Sequence, residues 1–318
     1  MKKKYNDLNF MRNIADLSDH KSVKGYDFEK DFNAKEFFDS FLHTGFQATN
    51  LGKAITIAKE IKEKKPFTIL AFTGNAISSG LRDQIAYLVK NKHVDMIVTT
   101  SSGIEEDVIK SLSDFKIGSF DVPGRVLFEH GVGRIGNILV PQDRYLLFER
   151  FLNPVLQELN EEKIVTPTRI AEKLGEKTTN GFLHWAYKNK VPVYCPGIVD
   201  GAFGDISYFF RQKFDLKIDV LADHKKIIDT LLNVNETALI NLGGGIAKHY
   251  ALNANIFREG LSYAIYLNVA EESFGSDSGG NEEEAKTWAK IKLDAKHVKV
   301  KADFTITFPI LIAAAFKD

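Results

Sequence analysis

Short apolar runs and amphipathic stretches alternate along most of the chain. Residues 67–72 and 94–100 form apolar runs that predict buried strands, and small polar residues and a helix follow each, the first helix ending near Lys90 and the second beginning near Glu105. The same unit returns at residues 191–194, 238–242, 263–269 and 298–302. This repetition predicts an α/β fold, a single large Rossmann-like domain whose mostly parallel sheet has helices on both faces.

The amino-terminal residues follow a different pattern. Residues 1–35 are polar and poorly periodic, which predicts an arm that is flexible or docks on a neighbouring subunit, whereas residues 36–318 form the α/β domain. Thr49 is expected to cap a first helix over residues 51–64, with Pro66 beyond its end.

Composition limits the classes of function. Forty-two basic residues balance forty-two acidic ones, which argues against nucleic acid as a partner, because binding phosphates needs a clustered cationic excess. The one cysteine, Cys195, fits a reducing compartment, and no window approaches 18 apolar residues. We therefore expect a soluble, cytoplasmic protein with no membrane partner. No set of His, Cys and carboxylates has the spacing of a metal site.

Turns after the predicted strands carry candidate binding groups, because such sheets bind ligands at the carboxyl ends of their strands. Backbone N–H groups and hydroxyls in residues 73–80 could hold a phosphate, and Glu105 or Glu106 could accept ribose hydroxyls or meet a cation. Ordinary helix capping explains these residues as well. Three glycines at 243–245 indicate a close backbone approach to a ligand, and His249 is either a general base or structural.

Carboxylates outnumber cations at these turns, which favours a polycation such as a polyamine if the fold brings them together. They are Glu105, Glu106, Asp200, Asp205, Asp277 and Glu284. Lys290, two places after Trp288, is a candidate nucleophile for imine chemistry, or else a lysine packed over the ring. Because Glu284 and Lys290 cannot share a face of one helix, either the helix ends near Trp288 or they meet the ligand from different sides.

Motifs in order along nearly the whole chain resemble those of the deoxyhypusine synthase family, and so many independent matches are not expected by chance. They are KGYDF (24–28), GFQATN (45–50), NAISSGLRD (75–83), TTSSGIEED (99–107), RIGNILVP (134–141), PGIVDGAFGD (196–205), LGGGIAKH (242–249), GSDSGG followed by EAKTWAK (275–290) and VKVKAD (298–303).

The resemblance implies an NAD-dependent aminobutyltransferase. Spermidine would be oxidised to an imine and cleaved with release of 1,3-diaminopropane. Its 4-aminobutyl group would pass through an imine on Lys290 to a lysine of the translation initiation factor 5A precursor, where it is reduced. The family also implies a homotetramer with sites at a subunit interface, and an arm that can cover a neighbour's site.

Site residues carry over position by position. Lys290 would be the nucleophile, and His249 would bind the polyamine and help to move protons. The other polyamine-binding residues would be Glu105, Asp205, Gly244, Asp277, Glu284 and Trp288. NAD would be bound by Gly74, Asn75, Ala76, Ile77, Ser78, Thr100, Ser101, Ser102, Glu106, Asp200, Ala270, Ser278 and Asp303.

Four positions depart from the family's familiar eukaryotic pattern. Val269 stands for a threonine and Phe274 for an aspartate, which removes hydrogen-bonding groups worth about 1 kcal/mol or more each. We therefore expect NAD binding to be weaker or differently arranged. Ala289 replaces a glycine and Phe304 an alanine, which are changes of conformation or packing.

Three other functions fit parts of the sequence. An enzyme of the same ancestry could pass the aminobutyl group to putrescine and make homospermidine with the same donor chemistry. A non-catalytic paralogue could bind NAD or activate a partner subunit; Phe274 and Val269 favour it, whereas Lys290, His249 and Glu284 oppose it. An NAD-consuming deacylase on a related sheet finds no support around Lys290.

Overall fold

The computed structural model describes residues 16–317. Its helices are α1 (Ala34–Thr44), α2 (Phe46–Lys64), α3 (Asn75–Ser78), α4 (Leu81–Lys90), α5 (Ser101–Leu112), α6 (Gly124–Glu129), α7 (Asp143–Asn160), α8 (Pro167–Lys177), α9 (Phe182–Asn189), α10 (Ala202–Phe210), α11 (Val220–Leu232), α12 (Gly245–Asn253), α13 (Glu282–Thr287) and α14 (Phe304–Ala315). Its strands are β1 (Phe67–Phe72), β2 (Met96–Val98), β3 (Lys116–Ile117), β4 (Val132–Ile135), β5 (Ile138–Pro141), β6 (Ile164–Val165), β7 (Val193–Tyr194), β8 (Lys217–Ile218), β9 (Thr237–Leu242), β10 (Leu261–Asn268) and β11 (Ile291–Lys301).

Six parallel strands form the central sheet, in the order β11-β10-β9-β1-β2-β7. Alternate side chains of β1 enter two separate cores, because successive residues of a strand face opposite sides. Leu70 and Phe72 pack in the first core with α2, α4, α5 and α14, and Ile69 and Ala71 pack in the second core with α11 and α12. The predicted fold class, a mostly parallel sheet with helices on both faces, is confirmed.

The centre of this sheet is its topological switch point. β1 and β9 lie side by side in register, and the helices that follow them, α4 and α12, cover opposite faces. Open α/β sheets bind ligands in the crevice that such a divergence leaves at the carboxyl ends of the strands.

Two helix boundaries differ from the sequence prediction. The prediction that Thr49 caps the first helix is wrong, because α2 begins at Phe46 and the Thr49 hydroxyl accepts a hydrogen bond from the Gly45 N–H at 3.0 Å. The helix predicted after β1 is divided into α3 and α4. The Lys110 ammonium ends α3 by donating to the carbonyls of residues 77, 78 and 79 at 2.8, 3.1 and 2.7 Å.

The remaining short elements lie outside the pattern used for prediction. β3, β5 and β4 form an antiparallel sheet, and β6 pairs with β8. Residues 16–33 contain neither helix nor strand, and residues 1–15 of the predicted arm lie outside the described residues. Among residues 16–317, no helix is both long and apolar enough to cross a membrane.

Candidate active site

A cavity of about 260 Å³ lies at the switch point, at the carboxyl ends of β1, β9, β10 and β11. Five of the predicted binding residues line it: Asn75, Gly244, Ala270, Ser278 and Asp303. Larger cavities lie elsewhere, but their linings hold few of the predicted residues. These five residues come from four separate turns, and the fold places them around one cavity.

The turn after β9 is built to approach the loop that carries Ser278. A Cβ on Gly244 would lie 2.3 Å from Ser278 Oγ, so only glycine fits there. The Gly245 N–H donates to Ser278 Oγ at 2.9 Å, and the side-chain amides of Asn241 and Asn268 donate to the Gly243 carbonyl at 2.7 and 3.2 Å. The cavity thus combines a fixed glycine turn, a hydroxyl and a carboxylate, which fits a dinucleotide.

Glu105 lies at the carboxyl end of β2, buried against the turn that follows β7. Its Oε2 accepts a hydrogen bond from the Phe203 N–H at 3.0 Å, and a Cβ on Gly201 would lie 2.8 Å from the same oxygen. Burial raises the pKa of Glu105, hydrogen bonds from the N–H groups of Phe203 and Ala202 oppose the rise, and the nearby Asp205 carboxylate adds to it. The Glu105 carboxylate therefore lies close enough to that of Asp205 to interact with it electrostatically.

Glu106 is a second buried carboxylate of this region. Burial raises its pKa to about 7, whereas a hydrogen bond from Ser78 Oγ to Glu106 Oε2 opposes that rise and the neighbouring Glu105 charge adds to it. A carboxylate with such a pKa exists in both protonation states near neutral pH. It can therefore either accept hydrogen bonds from hydroxyls or donate one.

We expect the free energy of unfolding to fall between about pH 5 and pH 8, partly because of Glu106. Below pH 4.5 both states hold its proton, but from there to about pH 7 only the folded state does, so stability is lost as the pH rises. Glu106→Gln should abolish the pH-dependent loss of stability that comes from Glu106. At pH 8 the free energy of unfolding of the variant should therefore exceed that of wild type by up to about 3 kcal/mol. Urea unfolding at several pH values measures the difference; parallel curves for the two proteins would contradict the assignment.

The other predicted cofactor residues build the same region. A Cβ on Gly74 would lie 1.9 Å from Ser102 Oγ, and Thr100 Oγ1 lies 2.9 Å from Ser102 Oγ. Ser101 Oγ donates to the Ile198 carbonyl at 2.8 Å. The side chains of Ala76 and Ile77 are buried in the first core, so only their backbone is available to a ligand. Asp200 is exposed in the turn before α10.

A second group of predicted residues lies on α12, α13 and the start of β11. His249 and Glu284 are exposed, the Trp288 side chain is 64% exposed, and Lys290 is only 9% exposed. α13 ends at Thr287, with Trp288 as its C-cap. Of the two sequence interpretations, the first is therefore confirmed: the helix ends near Trp288, and Lys290 leaves it in a new direction.

The end of α13 is a Schellman motif, in which two N–H groups beyond the helix donate back to its carbonyls. The Lys290 N–H donates to the Ala285 carbonyl and the Ala289 N–H to the Lys286 carbonyl, both at 3.0 Å. The motif requires a left-handed residue, and Ala289 supplies it with φ 54°. The usual family glycine is thus replaced at a position where glycine is favoured.

We expect Ala289→Gly to raise the free energy of unfolding by about 1 kcal/mol, because a Cβ is strained at positive φ. Ala285→Gly is the matched control: it lies inside the same short helix and should lower stability by about 1 kcal/mol. Urea denaturation of the three proteins gives both values. Equal destabilisation by the two substitutions would contradict strain at residue 289.

The two groups of predicted residues do not meet within one chain. α5 and α10, which carry Glu105 and Asp205, pack in the first core, whereas α12 and α13 pack in the second core on the other face of the sheet. Lys290 precedes β11 at its amino end, where its carbonyl accepts from the Leu261 N–H at 3.0 Å. No hydrogen bond or ion pair within residues 16–317 joins the Lys290 ammonium to a carboxylate.

Three of the four departures from the family pattern fall on exposed positions. Val269 lines the switch-point cavity, whereas Phe274 is 79% exposed in the turn Glu272–Phe274 and does not line it. Phe304 is buried in the first core and also borders the cavity. Of the three positions, Val269 and Phe304 therefore border the expected cofactor, and Phe274 does not.

Some residues near the site were not predicted from the sequence. Asn268 and Thr305 also line the cavity, and Asn268 could have been found as the polar residue that ends an apolar strand. Arg82 and Asp107 belong to the quoted motifs but join in a buried ion pair at 2.7 Å. Asp107 also accepts from the N–H groups at the start of α9, so this pair stabilises the fold.

Comparison with known proteins identifies the family. The deoxyhypusine synthase family model matches residues 36–315. Deoxyhypusine synthase from Senecio vernalis is 42% identical over 92% of this chain and 88% of its own length, and a protein assigned as the same enzyme in Methanocaldococcus jannaschii is 43% identical over 93% and 97%.

A solved structure leads to the same family. The crystal structure of a protein assigned as a deoxyhypusine synthase in Entamoeba histolytica superposes with a TM-score of 0.66 at 27% identity, covering 92% of this chain and 96% of that one. The chain therefore belongs to the deoxyhypusine synthase family, whose members transfer an aminobutyl group.

Proposed function

We propose that the chain takes the 4-aminobutyl group of spermidine onto Lys290 and passes it to a lysine of the translation initiation factor 5A precursor, releasing 1,3-diaminopropane. The observation that carries this is the setting of Lys290. It is largely buried, has no carboxylate partner among the described residues, and follows the exposed Glu284 and Trp288. A carboxylate and an aromatic face are what a polyamine chain binds.

The chemistry of Lys290 is imine exchange. Its unprotonated amine adds to the imine carbon of oxidised spermidine, the bond from that carbon to the diaminopropane nitrogen breaks, and this nitrogen leaves with a proton. The acceptor lysine then adds to the same carbon and expels Lys290. His249 is exposed on α12, with Nδ1 at 3.4 Å from the Asn253 amide nitrogen, and its other ring nitrogen would move these protons.

The switch-point cavity would hold NAD through Asn75, Ala270, Ser278 and Asp303. Gly244, which the family resemblance assigns to the polyamine, lines the same cavity. NAD, when bound there, supplies the hydride acceptor for the oxidation and the hydride donor for the final reduction. Ser278 is fixed by the Gly245 N–H, and the Asp303 carboxylate accepts from the Thr305 N–H at 2.7 Å. Both groups therefore already have fixed positions at the cavity.

We also propose a homotetramer in a reducing compartment such as the cytoplasm, with the amino-terminal arm against a neighbouring subunit. Some apolar side chains are exposed on the single chain and would be covered in such an assembly. They include Val199, Tyr208, Phe209, Ile246 and Phe257. The buried thiol of Cys195 is consistent with the compartment.

The test is a spermidine cleavage assay with NAD and both acceptors present. We expect 1,3-diaminopropane together with labelled initiation factor 5A precursor. Formation of 1,3-diaminopropane with homospermidine and an unlabelled factor would establish putrescine as the acceptor instead. No cleavage of spermidine at all would favour a non-catalytic role and overturn the proposal.

A further inference from the structure

Two buried lysines hold the backbone of the loop that carries Asp277 and Ser278. We call residues 270–281 the acidic loop; it connects β10 to α13. Lys248, on α12, donates to the carbonyls of Asp277 and Gly280, the latter at 2.8 Å. Lys299, on β11, donates to the carbonyls of Ala270, at 3.1 Å, and Gly279. Four carbonyls of one loop are thus held by two ammonium groups from different elements.

Burying a lysine ammonium costs free energy unless its N–H groups make hydrogen bonds. Lys248 is 2% exposed, and the Lys299 side chain is 9% exposed. A buried ammonium strongly disfavours its charged form, and burial indeed lowers the pKa of Lys248, with the Asp277 carboxylate opposing. Lys248 makes no ion pair within the described residues and lies 4.9 Å from the Tyr266 ring centroid. The loop carbonyls are therefore its main hydrogen-bond partners.

The held loop is tightly folded and carries two of the predicted binding residues, Asp277 and Ser278. A Cβ on Gly279 would lie 2.0 Å from the Glu271 carbonyl oxygen, so the two ends of the loop touch. Asp277 Oδ2 is buried without a hydrogen-bond partner in the described chain, and Ser278 Oγ meets the glycine turn. The position of the Asp277 carboxylate is therefore set by the loop backbone, since its buried Oδ2 has no hydrogen bond that could hold it.

We propose that Lys248 and Lys299 are positioning residues, which fix the acidic loop so that Asp277 and Ser278 face the bound polycation and cofactor. Lys248 also precedes His249 on α12, one side chain pointing inward and the other outward. Two hydrogen bonds from Lys248 therefore connect the loop to the helix that carries His249. The identity of the polycation, spermidine, rests on the proposed function.

The first test measures the loop without any substrate. We expect backbone amides of residues 270–281 to exchange with solvent deuterium at least about tenfold faster in Lys248→Met and in Lys299→Met, because each change removes two charge-assisted contacts. Lys296→Met is the matched control, since Lys296 lies on the same strand but donates to Glu60 at 2.6 Å. Its loop should exchange at the wild-type rate.

The second test measures spermidine cleavage by the same proteins. We expect KM for spermidine to rise about tenfold while kcat changes less than about threefold. A misplaced loop should weaken the binding of the substrate and of the transition state equally. Lys299→Arg should recover part of the affinity, because it keeps a donor cation. Faster loop exchange with an unchanged KM would show that Lys248 and Lys299, which we call the clamp, hold the loop without any effect on spermidine binding. That result would overturn the proposal.

Failure of the clamp and failure of the proposed function give different results. Unchanged loop exchange in both Met variants overturns the clamp even if the wild type cleaves spermidine. A wild type that does not cleave spermidine overturns the proposed function and the ligand's role, although the exchange result on the loop still stands. If Lys248→Met does not fold, Lys299→Met decides alone, because Lys299 borders an open cavity of about 780 Å³.

Discussion

Replacing Lys290 by alanine should abolish aminobutyl transfer, with a fall in rate of at least about 10⁴-fold. The physical reason is that the imine step needs an amine that can form and break a C–N bond, and no neighbouring group can supply it at the same atom. Borohydride reduction after incubation with NAD and radiolabelled spermidine would attach label to the wild type. We expect no label on Lys290→Ala.

Lys286→Ala is the matched control for this loss. Lys286 lies in the same helix region, but its ammonium donates to Glu283 at 2.7 Å. Its labelling and transfer should stay within about threefold of wild type, as is usual for changes in surface ion pairs. Label retained by Lys290→Ala would mean that another lysine is the nucleophile.

The sequence predicted the central sheet because its strands are long enough to show a pattern. β1, β9 and β10 are buried apolar runs of six to eight residues, each followed by glycine or small polar residues. β7 has only two residues but was predicted from the run 191–194 and the turn that follows it. The strands outside the central sheet have two to four residues and no such turn pattern, which is too few for a period to appear. The break between α3 and α4 depends on Lys110, which is distant in sequence.

The sequence identifies candidate residues, but it does not show how these residues are arranged in space. Glycine turns, paired carboxylates and a lysine after a tryptophan are local features, so Gly244, Glu105 and Lys290 could be named as candidates from the sequence. Which face of the sheet each helix covers is a property of the whole topology, and no short segment encodes it. The separation of Lys290 from Glu105 therefore became visible only in the structure.

This separation is too large for one spermidine molecule to bridge both groups comfortably. β11 and β2 are four strand spacings apart, and along the strand direction Lys290 lies about five residues from the level of the end of β2. Together these offsets put roughly 25 Å between the backbone at the end of β2 and that of Lys290. The helices concerned also lie on opposite faces. In the proposed homotetramer, a complete site would therefore combine Glu105 from one subunit with Lys290 from another.

Mixing two inactive variants should consequently restore activity. Glu105→Gln and Lys290→Ala should each lose at least about a hundredfold, since one lacks a buried charge partner of the polycation and the other the nucleophile. In a randomly reassembled mixture, half of the subunit pairs are mixed and each mixed pair has one intact site, so about a quarter of wild-type activity should return.

The control for this complementation is a mixture of Lys290→Ala with His249→Ala. Both residues belong to the group on α12, α13 and the start of β11, so every site in a mixed pair lacks one of them, and no activity should return. Spermidine cleavage after co-refolding measures both mixtures. If the first mixture stayed as inactive as the second, Glu105 and Lys290 would have to act within one chain, and the separation across the sheet would have to close by a rearrangement of the domain itself.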